Sequence, residues 1–414
     1  MFKLRSIFTA TFSVIASSLA ALSAQSYSWS DCQGSAKPYP EPEECVGHPD
    51  SLRAVMINHV GRHGARYAAS DSHARTLLKA LDDACVQNTI TPVGRRLQGL
   101  VKRVISMSEG RWGRLDSLGM AEQAGIATRM YRAYPELFHS GVTARASYVP
   151  RCVMSMYEFT HALAVERPQL VISDMSGPQN NQLLRFFQDN AEYEAAVSSD
   201  AVKDAIKKFE KKNVDMTALR RAVGLNYRFD KDSIKVAMAE YSFLAGLSAI
   251  GVEEDVSCYL TSEEYNALWS AFNLKQYLTR TASELTSVPA DIARPLLADL
   301  INSTDRYIAD PEGSVPVMLR FGHAETLMPL FSLMRLPGCY FLTDDLQDVA
   351  ASWRDFDIVP MAANLQMILF RSATGRYYLR VDLNERPVAV TVGGKAEIYV
   401  PWSEARQHFL DLMK

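Results

Sequence analysis

The seven residues Ala54 to Val60 form a short apolar run that ends at Gly61 and opens into Arg62-His63-Gly64-Ala65-Arg66. A run of that length bounded by glycine reads as a buried strand feeding a loop. This placement constrains the fold, because α/β proteins bind their ligands in the crevice at the carboxyl ends of sheet strands. The flanking chain agrees. Helical periodicity runs from Ser72 to Ile105 with a break near Thr91-Pro92, and again over Met120 to Tyr134 and Cys152 to Val165, with a second short strand over Gly141 to Tyr148. Further β-rich runs occupy Val315 to Arg320, Leu365 to Arg371, Tyr377 to Asp382 and Val388 to Val392, with Thr374-Gly375 as a hairpin turn. Between them lies a stretch of long polar helical faces, clearest over Ala201 to Lys212, Ile234 to Ile250 and Ser262 to Leu285. The expectation is an α/β fold, a central sheet flanked by helices, built from residues 25–165 and 301–414, with 166–300 as an inserted, mostly α-helical domain.

Hydrophobic residues make up 48% of the 414 and charged residues 22%. Those values exclude a disordered or coiled-coil chain. A net charge of −3 argues against electrostatically driven nucleic-acid binding. Lys3 and Arg5 are the only charges before Asp31, and the segment from Ile7 to Leu22 is apolar, ending in small residues. Residues 1–24 therefore read as a secretory signal peptide, which predicts an exported protein, periplasmic or secreted, with no membrane span in the mature chain. Six cysteines, Cys32, Cys45, Cys85, Cys152, Cys258 and Cys339, permit disulfides in an exported protein. Cys32 with Cys45 is the simplest local pair, and simple buried thiols are the alternative. No C-x-x-C is present, which disfavours a zinc ribbon or thioredoxin-type site.

The chemistry-bearing residues cluster at predicted strand ends. Arg62 and Arg66 flank His63, and guanidinium forks suit the oxygens of a phosphoryl group. A neutral imidazole can attack phosphorus once that charge is neutralised. Gly322-His323-Ala324-Glu325 follows the strand Val315 to Arg320, so a second histidine and a carboxyl can face the same sheet edge. A glutamate in a first helical turn is also common for local reasons. Arg151 follows the strand-like segment ending at Tyr148. His59, four residues before His63, has no nearby Cys, Asp or Glu to complete a metal site, and is read as structural. Lys207, Lys208, Lys211 and Lys212 are candidate contacts for a polyanionic substrate, with a solvated helix face as the preferred reading.

Taken together, R-H-G-A-R, Arg151 and His323-Ala324-Glu325 resemble the histidine acid phosphatases, in the branch of the multiple inositol polyphosphate phosphatases. Leu115-Asp116-Ser117-Leu118-Gly119 is similar to that family's L-T-x-x-G, and Arg151-Cys152 with Ser155 to its R-x-x-x-S. Two departures stand out. Tyr67-Ala68-Ala69 replaces a proline-containing continuation, and Asp116 stands where threonine is usual. The resemblance implies a histidine-phosphatase-like domain and a phosphomonoesterase acting on inositol polyphosphates, phytate included. It implies His63 as the nucleophile of a phosphohistidine intermediate and Glu325 as proton donor. Arg62, Arg66, Arg151 and His323 become the phosphate ligands. No cofactor and no metal is implied, since arginines stabilise the charge, and the partner is a small phosphorylated molecule. One alternative keeps the same residues, a broad phosphatase for sugar phosphates or 2,3-bisphosphoglycerate; the other, a phosphoester-binding protein without turnover, would keep the arginines and could lose His63 or Glu325, and the presence of both disfavours it.

Overall fold

The computed structural model describes residues 27–42, 46–229 and 232–414. The segment read as a signal peptide lies outside them, as does Cys45 and with it the proposed Cys32 pairing. The other described cysteines carry free thiols; Cys32, Cys152 and Cys339 are buried.

The run that opens at Ala54 is the centre of the molecule. Strand β1 (Leu52–Arg62) is buried from Met56 to its end. It pairs parallel with β4 (Val317–Gly322), which pairs parallel with β2 (Val142–Ala146), and this in turn with β3 (Ile172–Ser176). On its other side β1 pairs antiparallel with β5 (Asn364–Ser372), followed by β6 (Tyr377–Leu383). β7 (Arg386–Val388) and β10 (Val400–Pro401) complete this eight-stranded mixed sheet, while β8 (Val390–Val392) and β9 (Lys395–Glu397) form a separate hairpin. The β5–β6 turn falls at Ala373 to Gly375, where Gly375 has φ of 82°.

Helices cover both faces. On one side α3 (Ser117–Ala133) and α4 (Pro150–Glu166) enclose a core of Ile57, Leu319, Phe321, Ile368, Met130 and Phe159. On the other, α1 (Ser72–Val86) and α2 (Pro92–Ser108) pack with the helices Asp200–Asn213, Thr217–Val223, Ser233–Ala245 and Ser262–Arg280. Val60 and Leu365 of the sheet belong to one continuous apolar core with Phe209, Tyr241 and Trp269 of that helical block. Burial of this contiguous kind ties the block to the sheet. β3 falls within the span read as helical from sequence. Its residues are half-exposed or exposed, so this edge strand lacks the apolar alternation that marks a buried one. Among the described residues no helix is long and apolar enough to cross a membrane.

Candidate active site

Three parallel strands end side by side, and the candidate residues follow directly. Arg62 at the end of β1 is in register with Gly322 at the end of β4. His63 donates its backbone N–H to the Gly322 carbonyl at 3.1 Å, and Ser147, just past β2, donates its own to Phe321 O at 3.1 Å. The His63 and His323 rings meet edge to face with centroids 5.8 Å apart. The sequence reading of one shared sheet edge therefore holds in space.

The loop after β1 is fixed by its backbone. Gln123 Nε2 donates to Arg62 O at 2.9 Å, Gly64 N–H to Ser155 Oγ at 3.1 Å, and Ala65 N–H to Glu122 Oε2 at 2.7 Å. Asp116 N–H donates to Ala65 O at 2.9 Å, while Asp116 Oδ1 accepts from Leu118 N–H at 3.0 Å and so caps α3. The aspartate where threonine is usual thus keeps the capping function. Gly64 and Gly119 meet backbone to backbone. A Cβ on Gly119 would lie 2.2 Å from Ala65 O, and one on Gly64 2.3 Å from Gly119 O.

His63 is buried, and its Nδ1 lies 2.9 Å from Gly64 O. A carbonyl can only accept, so that nitrogen carries the proton and Nε2 keeps its lone pair. Burial, with Arg151, Arg66 and Arg62 around the ring, pushes its pKa well below the usual histidine value. The imidazole is neutral, the state a nucleophile needs.

Arg62, Arg66 and Arg151 surround it. Burial and the neighbouring guanidiniums push the pKa of Arg62 down to about 10 and that of Arg66 to about 9, which leaves both charged at neutral pH. The Nε atoms of all three are buried with no hydrogen-bond partner among the described residues. Three like charges and three unspent donors in one buried spot are costly unless an anion is bound there. Arg151 also lies in the first turn of α4, where the helix dipole favours an anion.

His323 is neutral as well, lowered to about 3 by burial and then by Arg151. Its Nδ1 accepts from Arg151 Nη2 at 3.2 Å, since a guanidinium only donates, so Nε2 carries the proton toward Ser147 Oγ at 3.1 Å. Glu325 sits in the first turn of the helix Ala324–Leu333. Burial raises its pKa, but Arg280 and then His323 outweigh that and bring it down to about 2. The Arg280 Nη2 to Glu325 Oε1 distance is 3.5 Å.

Arg280 closes the helix Ser262–Arg280 and was not singled out from sequence. Neither was Arg185, whose guanidinium lies 4.9 Å from the Tyr148 ring and 5.7 Å from that of Phe187. Phe187 in turn meets the His323 ring at 5.9 Å. Isolated arginines in a helical stretch carry no motif, so only the fold reveals them. Lys207, Lys208, Lys211 and Lys212 are exposed. Lys208 and Lys212 line a groove with Leu346 and Gln347 that includes none of the residues around His63. His59 packs between the Phe159 and Phe321 rings.

A family model described as "Histidine phosphatase superfamily (branch 2)" matches residues 55–384. The chain belongs to that superfamily and is a phosphomonoester hydrolase. It is 26% identical over 377 residues to multiple inositol polyphosphate phosphatase 1 of Gallus gallus, covering 84% of this chain and 78% of that one. Its fold matches the Bifidobacterium longum multiple inositol polyphosphate phosphatase solved with inositol hexasulfate, with a TM-score of 0.75 at 18% identity, covering 90% and 96% of the two chains. The phytase from D. castellii matches with a TM-score of 0.70 at 13% identity, covering 92% and 85%.

Proposed function

We propose that this phosphatase hydrolyses inositol polyphosphates, phytate included, by double displacement through His63. The observation that carries the mechanism is the convergence of a neutral His63 and three arginines with unspent Nε donors at one sheet edge. Arg62, Arg66 and Arg151 hold the phosphoryl oxygens, and His63 Nε2 attacks phosphorus. His323 lines the same pocket and supports the phosphate through Arg151, whose guanidinium its Nδ1 receives. Glu325 gives a proton to the leaving alcohol, and its carboxylate then takes one from the water that attacks the phosphohistidine. Covalent catalysis splits one difficult step into two in this way.

Glu325 is ionised in the free protein, so the proton must arrive with the substrate. A bound phosphoryl group brings negative charge beside the carboxylate and offsets Arg280, which favours the protonated form. The inositol polyphosphate assignment rests on the relatives and on His323-Ala324-Glu325. The Bifidobacterium longum multiple inositol polyphosphate phosphatase has been solved in complex with inositol hexasulfate. Residues 1–24 are read as an export signal, and 25–165 with 301–414 as the catalytic part around a mostly helical 166–300.

Phosphate release from phytate by the purified mature chain, across pH 3 to 8 and beside an aryl phosphate, tests the reading. Turnover of phytate that His63→Ala abolishes is expected. Turnover of the aryl ester alone would keep the mechanism and remove the substrate; turnover of neither would return the binding-protein alternative.

A further inference from the structure

The residues that hold the pocket from the outside come from an unexpected place. Arg62 Nη1 donates to two backbone carbonyls, Ser35 O and Val359 O, each at 2.6 Å. Ser35 belongs to a short 3₁₀ segment, Asp31–Ala36, near the start of the described chain. Its N–H donates to Asp355 Oδ2 at 2.8 Å, and the indole N–H of Trp269 donates to Asp355 Oδ1 at 2.9 Å. Asn273, one turn further along the same helix as Trp269, accepts the Asp355 N–H at 2.9 Å and donates to Trp353 O at 2.8 Å. Asp355, Trp269 and Asn273 are fully buried, and Ser35 and Arg62 nearly so.

The approach of the segment to the carboxylate is close. Gly34 has φ of 58°, and a Cβ there would lie 2.9 Å from Asp355 Oδ2. Tyr241 holds the same segment by donating its hydroxyl to Cys32 O at 3.0 Å. A second carboxylate repeats the device further along. Glu122 accepts Tyr39 N–H at 2.8 Å with one oxygen and Ala65 N–H at 2.7 Å with the other. Both carboxylates join the N-terminal lead-in to the machinery that binds phosphate, one through Arg62 and one through the loop itself.

We propose that Asp355 is a positioning residue for the reaction: by clamping Ser35 against Trp269 it fixes the carbonyl that aims the Arg62 guanidinium, and it makes residues 31–36 a wall of the phosphate pocket. The inference rests on the phosphoryl-binding reading of Arg62. A guanidinium held by two carbonyls on one nitrogen keeps its remaining donors pointed at the anion, and such preorganisation is what a phosphate clamp requires. Asparagine at 355 cannot replace the carboxylate, because its amide nitrogen would face an N–H donor instead of accepting it.

The test measures binding of inorganic phosphate by calorimetry in the full-length mature protein, with a thermal melt for each variant. Asp355→Asn is expected to weaken phosphate binding at least tenfold. Trp269→Phe keeps a ring in place and removes one donor to the carboxylate, and is expected to weaken it severalfold while remaining folded. The decisive comparison adds Arg62→Ala. If Asp355 acts through Arg62, the double variant binds phosphate no more weakly than Arg62→Ala alone. Losses that multiply in the double variant, or a folded Trp269→Phe with wild-type affinity, would overturn the proposal. The second outcome stands even if Asp355→Asn fails to fold. A wild-type chain that binds phosphate but hydrolyses no ester counts against the proposed function alone; one that binds no phosphate counts against both.

Discussion

The guanidinium of Arg280 lies 3.5 Å from the carboxylate of Glu325, joining the end of one helix in the 166–300 region to the first turn of the helix that follows β4. Arg280 also donates to the Tyr193 hydroxyl and has a buried Nε without a partner among the described residues. The pair holds Glu325 in its charged form, opposite to the form a proton donor uses.

Removing Arg280 should therefore raise the pKa of Glu325. The donor is active when protonated, so kcat falls as pH rises through that pKa in the complex. Arg280→Met is expected to move the alkaline limb of the kcat profile to higher pH, by about one unit or more for a neighbouring charge. A limb that stays in place or moves down would show that the pair does not set the donor.

Glu325→Gln tests the donor itself. General acid catalysis contributes on the order of 10²–10⁴ in rate. An alkyl phosphate, whose alkoxide leaves poorly, should lose about that much in kcat/KM, which reports the steps up to departure of the alcohol and excludes the hydrolysis of the phosphohistidine that all esters share. A nitrophenyl phosphate needs no proton on its leaving group and should lose far less. Equal losses in kcat/KM on both esters would place Glu325 outside proton transfer to the leaving group.

Gly119→Ala probes the close approach beneath the loop. With the new methyl carbon 2.2 Å from Ala65 O, the loop or α3 must shift. Overpacking costs about 1–3 kcal/mol. A displacement of about 1 Å at a catalytic group can cost 10²-fold in rate. The expected result is a lower melting temperature together with a fall in kcat/KM of tenfold or more; unchanged kinetics would mean that the strain is absorbed away from His63.

Glu240 makes a separate prediction about stability. It is buried in the helix Ser233–Ala245, and neither carboxylate oxygen has a hydrogen-bond partner among the described residues. Burial, then Glu264, pushes its pKa up to about 8. The unfolded chain ionises this group near the ordinary value of 4.5. Between those two values the folded state holds a proton that the unfolded state does not, so stability falls as pH rises through that window. Glu240→Gln removes this dependence. Its melting temperature should gain on the wild type steadily from pH 5 to pH 8, and a constant difference across that range would exclude the carboxyl as the cause.

Much of this site could be read from the chain because its key residues lie next to strand ends. Arg62, His63 and Arg66 follow an apolar run, and His323 and Glu325 follow another, so pattern and chemistry point to the same place. Arg151 needed the other two for its meaning. Asp116 looked like a departure, yet it caps α3 as a threonine would. What stayed hidden depends on distant chain segments. Arg280 and Arg185 reach Glu325 and the surroundings of His323, and Asp355 reaches the Ser35 segment behind Arg62, across long sequence separations, and no local pattern marks an arginine or aspartate that will do so. β3 was missed because an exposed edge strand needs no apolar face. Where the helical block ends was hard to read for a related reason: Val60 of the sheet and Trp269 of the block share one core, so no composition change marks a border.

That shared core bears on how substrates enter. A lid that swings as a rigid body needs an interface that can part, and here parting would expose apolar side chains on both sides. Access to the site then depends on single side chains beside His323 and Glu325, Arg185 and Arg280 among them. Changing which phosphorylated molecules are admitted is a matter of altering those side chains one at a time, with the architecture behind them left as it stands.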